Sequence, residues 1–100
     1  MHKGKMELID YLNKVKDQNS FIEFAKALHA DKEDENRKEK EKPSNPYSHG
    51  WNGWENTTIE GFLGSAIAWA EDSGFGDSVE KTDNLWKKFA MFLYGGKIYE

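Results

Sequence analysis

Residues 43–72 read PSNPYSHGWNGWENTTIEGFLGSAIAWAED and contain the change of pattern from which the fold is inferred. The first half is rich in proline, serine, asparagine and glycine, which is typical of a loop. From Thr57 or Thr58 onward, apolar side chains recur at helical spacing, and Thr57 and Glu60 have the spacing of a capping box. The stretch therefore predicts an aromatic loop over residues 43–56 that leads into an amphipathic helix.

Three further segments have apolar side chains at helical spacing. The first covers residues 6–16, and the last covers residues 83–94. The remaining segment begins at Ser20, which has Glu23 three residues later and so matches the capping-box pattern. Because β-branched residues are scarce and no segment alternates apolar with polar residues, we expect an all-α fold of about four helices.

The chain of 100 residues fits one compact domain, with the long aromatic loop between the second and third helices. Residues 1–5 are predicted to be disordered. Residues 31–42 read DKEDENRKEKEK, with six acids and five bases. Acidic residues stand four positions before basic ones in this segment, an order that supports helix formation. We therefore predict a solvent-exposed extension of the second helix there.

Three glycines carry structural expectations. Gly95 and Gly96 are expected to end the last helix. Gly64 lies inside the predicted third helix, where glycine costs on the order of 1 kcal/mol relative to alanine. This cost suggests the close approach of another backbone or of a ring, and a loop tryptophan is the expected neighbour.

The composition argues against several classes of protein. The chain has no cysteine, so it has neither a disulfide framework nor a thiolate metal site. No apolar run approaches the ~20 residues needed to span a bilayer, and the formal net charge of −4 comes with no basic face. We therefore expect a cytoplasmic protein that binds neither membrane nor nucleic acid.

The sequence contains no recognised catalytic or cofactor-binding motif. Phosphate-binding loops, dinucleotide fingerprints, nucleophile elbows and zinc-protease helices are all missing. We therefore predict no enzyme activity, no cofactor and no metal. An alternative is a small-molecule or metal-binding domain with a site around His49, Glu55 and Asp72, although spacing alone does not show a shared site.

The aromatic loop supplies the candidate contact residues for a partner. Tryptophan and tyrosine are common anchors of protein interfaces. Trp51 is expected to be the most exposed ring, whereas Trp69 and Trp86 have the helical spacing of core residues. The candidate partner-binding residues are Tyr47, His49, Trp51, Trp54 and Glu55.

Two aromatic blocks resemble those of a family of small, mostly bacterial domains of unknown function. Members carry a W-E-N-x-T-[IL]-x-x-[FY]-L-x-x-x-x-A-W block, which matches residues 54–69 here. They end in W-x-x-F-A followed by K-I-Y-E, which matches residues 86–90 and 97–100. The resemblance covers most of the chain after about Leu8. It implies an α-rich domain and no known reaction.

Three hypotheses for function follow. The first is a non-catalytic module that binds a protein partner. By analogy with other small bacterial domains, this module could be an immunity-type inhibitor. Analogy at the level of fold does not establish function. The second is the small-molecule or metal-binding domain. The third is a homodimeric structural protein whose tryptophan surface mediates self-association.

Overall fold

The computed structural model describes residues 6–43 and 50–99. These residues form four helices and no strand, which confirms the predicted all-α fold. Residues 1–5, predicted to be disordered, and the first part of the aromatic loop lie outside the described residues. The helices are α1 (Leu8–Asn13), α2 (Gln18–Glu41), α3 (Ile59–Ser73) and α4 (Leu85–Ile98).

The second helix begins earlier than the sequence pattern predicted. Its N-cap is Asp17, whose carboxylate accepts a hydrogen bond of 2.9 Å from the backbone N–H of Ser20. The Ser20 hydroxyl in turn accepts from the Asp17 backbone N–H at 3.0 Å. Ser20 is therefore the third residue of α2, in the role that the prediction gave to Glu23. An aspartate at the N-cap with a serine at the third helical position serves the first turn as well as the predicted serine and glutamate would.

The third helix starts at the second of two adjacent threonines. The Thr58 hydroxyl accepts from the backbone N–H of Gly61 at 3.0 Å, so Thr58 is the N-cap and the Thr57–Glu60 box does not form. The helix ends at Ser73 and is capped by Gly74, which has φ 61°. Glycine adopts this left-handed conformation without the steric cost that a side chain would add.

The fourth helix passes through both glycines that were expected to stop it. It continues to Ile98, and Gly95 and Gly96 are buried inside it. A Cβ at Gly95 would lie 2.9 Å from Cγ of Trp69, and one at Gly96 would lie 2.7 Å from Cε1 of Phe62. The glycines thus let the rings of α3 approach the backbone of α4. A ring therefore does approach a helical glycine closely, but at Gly95 and Gly96 of α4 and not at Gly64 of α3.

At Gly64 the expected close approach is missing. Apart from the flanking residues and the backbone of α3 itself, no described atom lies within 4 Å of the position that a Cβ would occupy, and the residue faces solvent. No loop tryptophan covers this position among the described residues.

Alanine at the two kinds of helical glycine should have opposite effects. We expect Gly64→Ala to stabilise the domain by about 0.5–1 kcal/mol, because the added methyl group meets open space and the unfolded chain loses freedom. We expect Gly96→Ala to destabilise it by about 1–3 kcal/mol, because the methyl group overlaps the Phe62 ring. Urea unfolding followed by circular dichroism measures both. Destabilisation by Gly64→Ala would show that α3 has a neighbour at this position.

The hydrophobic core lies where α1, α2 and α4 meet the loop before α3. Its buried members come from all of these elements, and Phe24 of α2 is fully enclosed. Phe62 and Trp69 of α3 pack against this cluster from one side. The buried cluster consists of Leu12, Val15, Phe21, Phe24, Leu28, Trp54, Ala90 and Met91.

The molecule is flat, with dimensions of 42 × 39 × 20 Å. Its shortest dimension accommodates two layers of helices, because one helix with side chains is about 10 Å across. α3 packs on α4, whereas no helix–helix packing joins α3 to α2. The thin body therefore leaves apolar side chains of α3 and α4 facing solvent. None of the four helices combines the length and apolar content needed to cross a bilayer.

Candidate functional site

The second half of the aromatic loop is held on the charged end of α2 by a buried carboxylate. The side chain of Glu35 is only 1% exposed. It accepts hydrogen bonds from the backbone N–H groups of Asn52 at 3.0 Å and Trp54 at 3.4 Å. The Lys32 ammonium lies 3.7 Å from the same carboxylate and provides the opposite charge. A buried carboxylate is stable only with such partners, so Glu35 fixes the path of the loop.

Asn52 adds a second set of contacts between the loop and α2. Its side-chain amide donates to the Asp31 carbonyl at 2.9 Å and to the Asp34 carboxylate at 3.1 Å. The Lys38 ammonium donates to the Asn52 carbonyl oxygen at 3.1 Å. Hydrogen bonds from Lys38, and then from Asn52, lower the pKa of Asp34 to about 2 because they stabilise its charged form.

Trp54 lies at the centre of this contact. Its side chain is 5% exposed, and its indole N–H donates to the Asp31 carboxylate at 2.8 Å. The Lys97 ammonium, itself buried, donates to the same carboxylate at 2.7 Å. The ammonium groups of Lys32 and Lys97 lie 5.4 and 5.6 Å from the centre of the Trp54 ring. Trp54 therefore joins the loop, α2 and the end of α4, and its indole has no free polar edge.

These contacts correct the prediction for residues 31–42. The segment is helical as far as Glu41, but it is not a purely solvent-exposed extension. Its Asp31, Asp34 and Glu35 side chains, with Lys38, hold the loop in place. Alternating charges on one helix face can bind polar loop groups as well as water, and spacing alone does not distinguish these outcomes.

The predicted partner-binding residues occupy different environments. Trp51 is 47% exposed, and its indole N–H donates to the Lys42 carbonyl at 2.7 Å. Trp54 is buried, and the backbone N–H of Glu55 donates to the Lys97 carbonyl at 2.9 Å. Tyr47 and His49 lie outside the described residues. Of the described loop rings, only Trp51 is thus available as a contact, and its role stays a prediction.

Of the residues proposed for a small-molecule or metal site, Glu55 and Asp72 have different partners, and His49 lies outside the described residues. Asp72 accepts a hydrogen bond from the Tyr99 hydroxyl, and this bond raises the pKa of Tyr99. Glu55 instead meets Lys97 through its backbone. Asp72 also lies at the edge of a cleft of about 560 Å³ lined by residues of α1, α3 and α4. Within residues 6–43 and 50–99, no three His, Asp or Glu side chains are grouped so that they could hold a metal.

A second exposed aromatic surface among the described residues lies at the start of α4, away from the predicted loop. Trp86, expected in the core, is 39% exposed, and Phe89 is about half exposed. We call this surface the α4 hollow, an open depression of about 610 Å³ lined by Phe75, Leu85, Trp86, Lys88 and Phe89. Its lining is apolar except for Lys88, whose ammonium lies 3.5 Å from the Asp77 carboxylate.

A continuous series of ring contacts supports the α4 hollow from below. Phe89 stacks on Phe21 with ring centres 5.5 Å apart, and Phe21 lies 5.5 Å from Trp86. On the other side, Phe75 stacks on Phe92 at 5.6 Å. Such pairs contribute beyond their buried area. The exposed rings are therefore packed against rings that are buried, as Phe21 is, or partly buried, as Phe92 is.

Phe75 reaches the α4 hollow through an uncommon backbone conformation. Its φ is 55°, between Gly74 at 61° and Gly76 at 89°. A bulky residue with positive φ is rare and costs on the order of 1–3 kcal/mol. A Cβ at Gly76 would lie 2.6 Å from the Met91 side chain, so the turn presses closely on α4. This turn places the Phe75 ring against Phe92 at the surface.

A signal for the α4 hollow was present in the sequence. Apolar residues occupy positions 85, 86, 89, 90, 92 and 93, a face broader than a single stripe. A helix in a two-layer domain buries only about half of its circumference. The sequence alone did not show which of these residues would face outward.

Comparisons with known proteins identify a family but no activity. The sequence model of a family of unknown function, DUF7660, matches residues 16–100. No curated protein and no solved structure gives a match.

Proposed function

We propose that this chain, which belongs to the DUF7660 family of unknown function, is a non-catalytic protein-docking module. It binds its partner through the α4 hollow. The occupant is the apolar face of an amphipathic helix from another protein. This proposal moves the contact surface from the aromatic loop to the start of α4.

One observation carries the proposal: four large apolar side chains converge on one exposed depression. Phe75, Trp86 and Phe89 are held by ring contacts, and Leu85 projects at the rim with 77% of its surface exposed. Contiguous exposed apolar patches on small proteins commonly mark interaction sites. Trp86 is also of the residue type that dominates binding energy at interfaces.

The size and chemistry of the α4 hollow favour a helix as the occupant. A volume of about 610 Å³ accommodates several side chains rather than one. Its lining offers few polar groups, so it cannot pair the backbone of an extended peptide, whereas a helix satisfies its own backbone groups. Apolar residues spaced three and four apart on a helix would enter side by side.

Burial of the rings alone would not give a stable complex. Phe75 and Trp86 are each about two-fifths exposed, and Phe89 is about half exposed. Covering them removes on the order of 250 Å² of surface, which contributes about 6 kcal/mol before the cost of association. Leu85 and the rim must therefore take part in any complex of useful affinity.

Leu85→Asp is the variant that tests the site. A display library of helical peptides would be selected on the wild-type protein, and the bound peptides titrated against both proteins. We expect selected peptides to carry large apolar residues on one face and to bind Leu85→Asp at least about tenfold more weakly. Leu85 is the first residue of α4, where an aspartate favours the helix dipole, so the fold should survive.

Two controls separate the α4 hollow from other surfaces. Ile59→Asp changes a residue of the same exposure, 78%, at the first position of α3, and should leave peptide binding unchanged. Trp51→Ala tests the loop that the sequence favoured. The proposal is wrong if the selected peptides bind Leu85→Asp as tightly as wild type, or if Trp51→Ala alone abolishes binding.

A further inference from the structure

A cleft between α1 and α3 contains a buried lysine, Lys87. α4 packs against both of these helices, whereas no helix–helix packing joins α1 to α3. The space between them is the cleft of about 560 Å³ at whose edge Asp72 lies, and we call it the α1–α3 cleft. Its volume falls in the range of pockets that hold small molecules, about 300–1,000 Å³. It shares no residue with the α4 hollow.

One side of α4 forms the floor of this cleft. Lys87, Met91, Tyr94 and Ile98 line it at spacings of three and four residues, so they follow one another along the same side of the helix. At a rise of about 1.5 Å per residue, this row is roughly 16 Å long. Further apolar lining comes from Ile9, Leu12, Trp69 and Val79. The α1–α3 cleft is therefore elongated and largely apolar, with Lys87 at the end where α4 begins.

The contacts of the Lys87 ammonium are long for a buried charge. The residue is 8% exposed, and its ammonium lies 3.5 Å from the Asn13 carbonyl and 3.5 Å from the Glu80 carboxylate. Charge-assisted hydrogen bonds are usually about 2.7–2.9 Å long. The other buried lysine of α4, Lys97, does reach its partner Asp31 at 2.7 Å. An ammonium can donate through each of its N–H bonds, so Lys87 keeps the capacity to bind a closer acceptor.

Glu80 can give up its place beside Lys87. Its side chain is 50% exposed, so water solvates its carboxylate whether or not the lysine is near. The unfavourable desolvation therefore falls on the Lys87 ammonium, which is shielded from water. An anion that entered the α1–α3 cleft would replace Glu80 at the ammonium, and the glutamate would turn to solvent.

We propose that the α1–α3 cleft binds a small apolar carboxylate, such as a medium-chain fatty acid, with its carboxylate on the Lys87 ammonium and its chain along α4. Of the charged side chains that line the cleft among the described residues, only Lys87 is buried, whereas Asp72 and Glu80 are exposed. The buried charge selects an anionic head group, and the apolar row beyond it suits an apolar chain. The proposal does not depend on the docking role of the α4 hollow.

Octanoate is the probe that tests the site, and octanol and octylamine carry the same chain with no charge and with the opposite charge. Each would be titrated into the full chain and followed by the NMR shifts of the backbone amides. We expect octanoate to saturate with a dissociation constant of about 1 mM or below and to shift amides of residues that line the α1–α3 cleft. Octanol and octylamine should bind at least about tenfold more weakly.

Lys87→Met removes the charge but keeps an unbranched side chain of similar length. It should bind octanoate at least about tenfold more weakly, yet melt at or above the temperature of the wild type, because the buried ammonium is gone. Lys88→Met is the matched control, since Lys88 is the next residue of α4 and does not line the cleft. It should bind octanoate as the wild type does.

Val79→Asp tests the site without touching the core. Val79 lines the cleft and is 71% exposed, so the new carboxylate should repel octanoate and leave the fold intact. The proposal is overturned if octanoate does not saturate, if octanol or octylamine binds as tightly, or if Lys87→Met keeps wild-type binding. A lower melting temperature of Lys87→Met would overturn it too, because the long contacts would then suffice for the ammonium. None of these results bears on the peptide test of the α4 hollow.

Discussion

Trp54→Ala is expected to lower the free energy of unfolding by about 3–5 kcal/mol, the range for removing a buried tryptophan. The ring is 5% exposed and stacks on Phe62 with centres 6.1 Å apart. Its removal also withdraws the indole N–H from Asp31 and the ring face from the Lys32 and Lys97 ammonium groups. Urea unfolding monitored by circular dichroism measures the loss without relying on tryptophan fluorescence.

Trp51→Ala provides the matched comparison within the same loop. Trp51 is about half exposed and makes one indole hydrogen bond, to the Lys42 carbonyl. Losing one such bond and part of the ring contact should cost no more than about 1 kcal/mol. Equal effects of the two variants would contradict the division of the loop into one buried and one exposed tryptophan.

Asp31→Ala is expected to destabilise the domain by about 3 kcal/mol, because it leaves the buried Lys97 ammonium without its carboxylate partner. The Lys97 side chain is only 8% exposed, and its contact with Asp31 measures 2.7 Å. We place the loss at the low end of the range for broken buried pairs because the Asp31 side chain retains some exposure to water.

A double-mutant cycle would separate loss of attraction from the cost of an unpaired charge. In the Asp31→Ala, Lys97→Met protein neither member of this pair leaves an unpaired buried charge, and the apolar side chain still covers Trp54. We expect this double variant to be more stable than Asp31→Ala alone. If the two losses are simply additive, Lys97 does not depend on Asp31 in the folded state.

Local signals in the sequence were enough to predict the class of fold. The spacing of apolar residues predicted four helices, and the structure confirms that number among the described residues. α2 and α3 start at residues other than those predicted, because Asp17 and Thr58 compete as caps with neighbouring residues of similar chemistry. Several caps are compatible with one pattern, and only the packed helix selects among them.

The surfaces were harder to predict than the helices. Trp86 and Trp69 have similar helical spacing, yet Trp69 packs over Gly95 while Trp86 stands at the surface. Gly95 and Gly96 were predicted to end α4. In the structure they let the rings of α3 approach the α4 backbone, and this role is visible only once α3 lies against α4. Periodicity identifies a face of a helix but not the element that covers it.

The sequence by itself determined that this protein forms helices around one small aromatic core, since propensity, spacing and capping act over a few residues. Only the tertiary structure decided that the buried Glu35 and the partly buried Asp31 hold the loop, and that, within the described residues, the rings of the α4 hollow stay exposed. Those outcomes depend on residues far apart in sequence, such as Asp31 and Lys97, which approach each other only after the helices have packed.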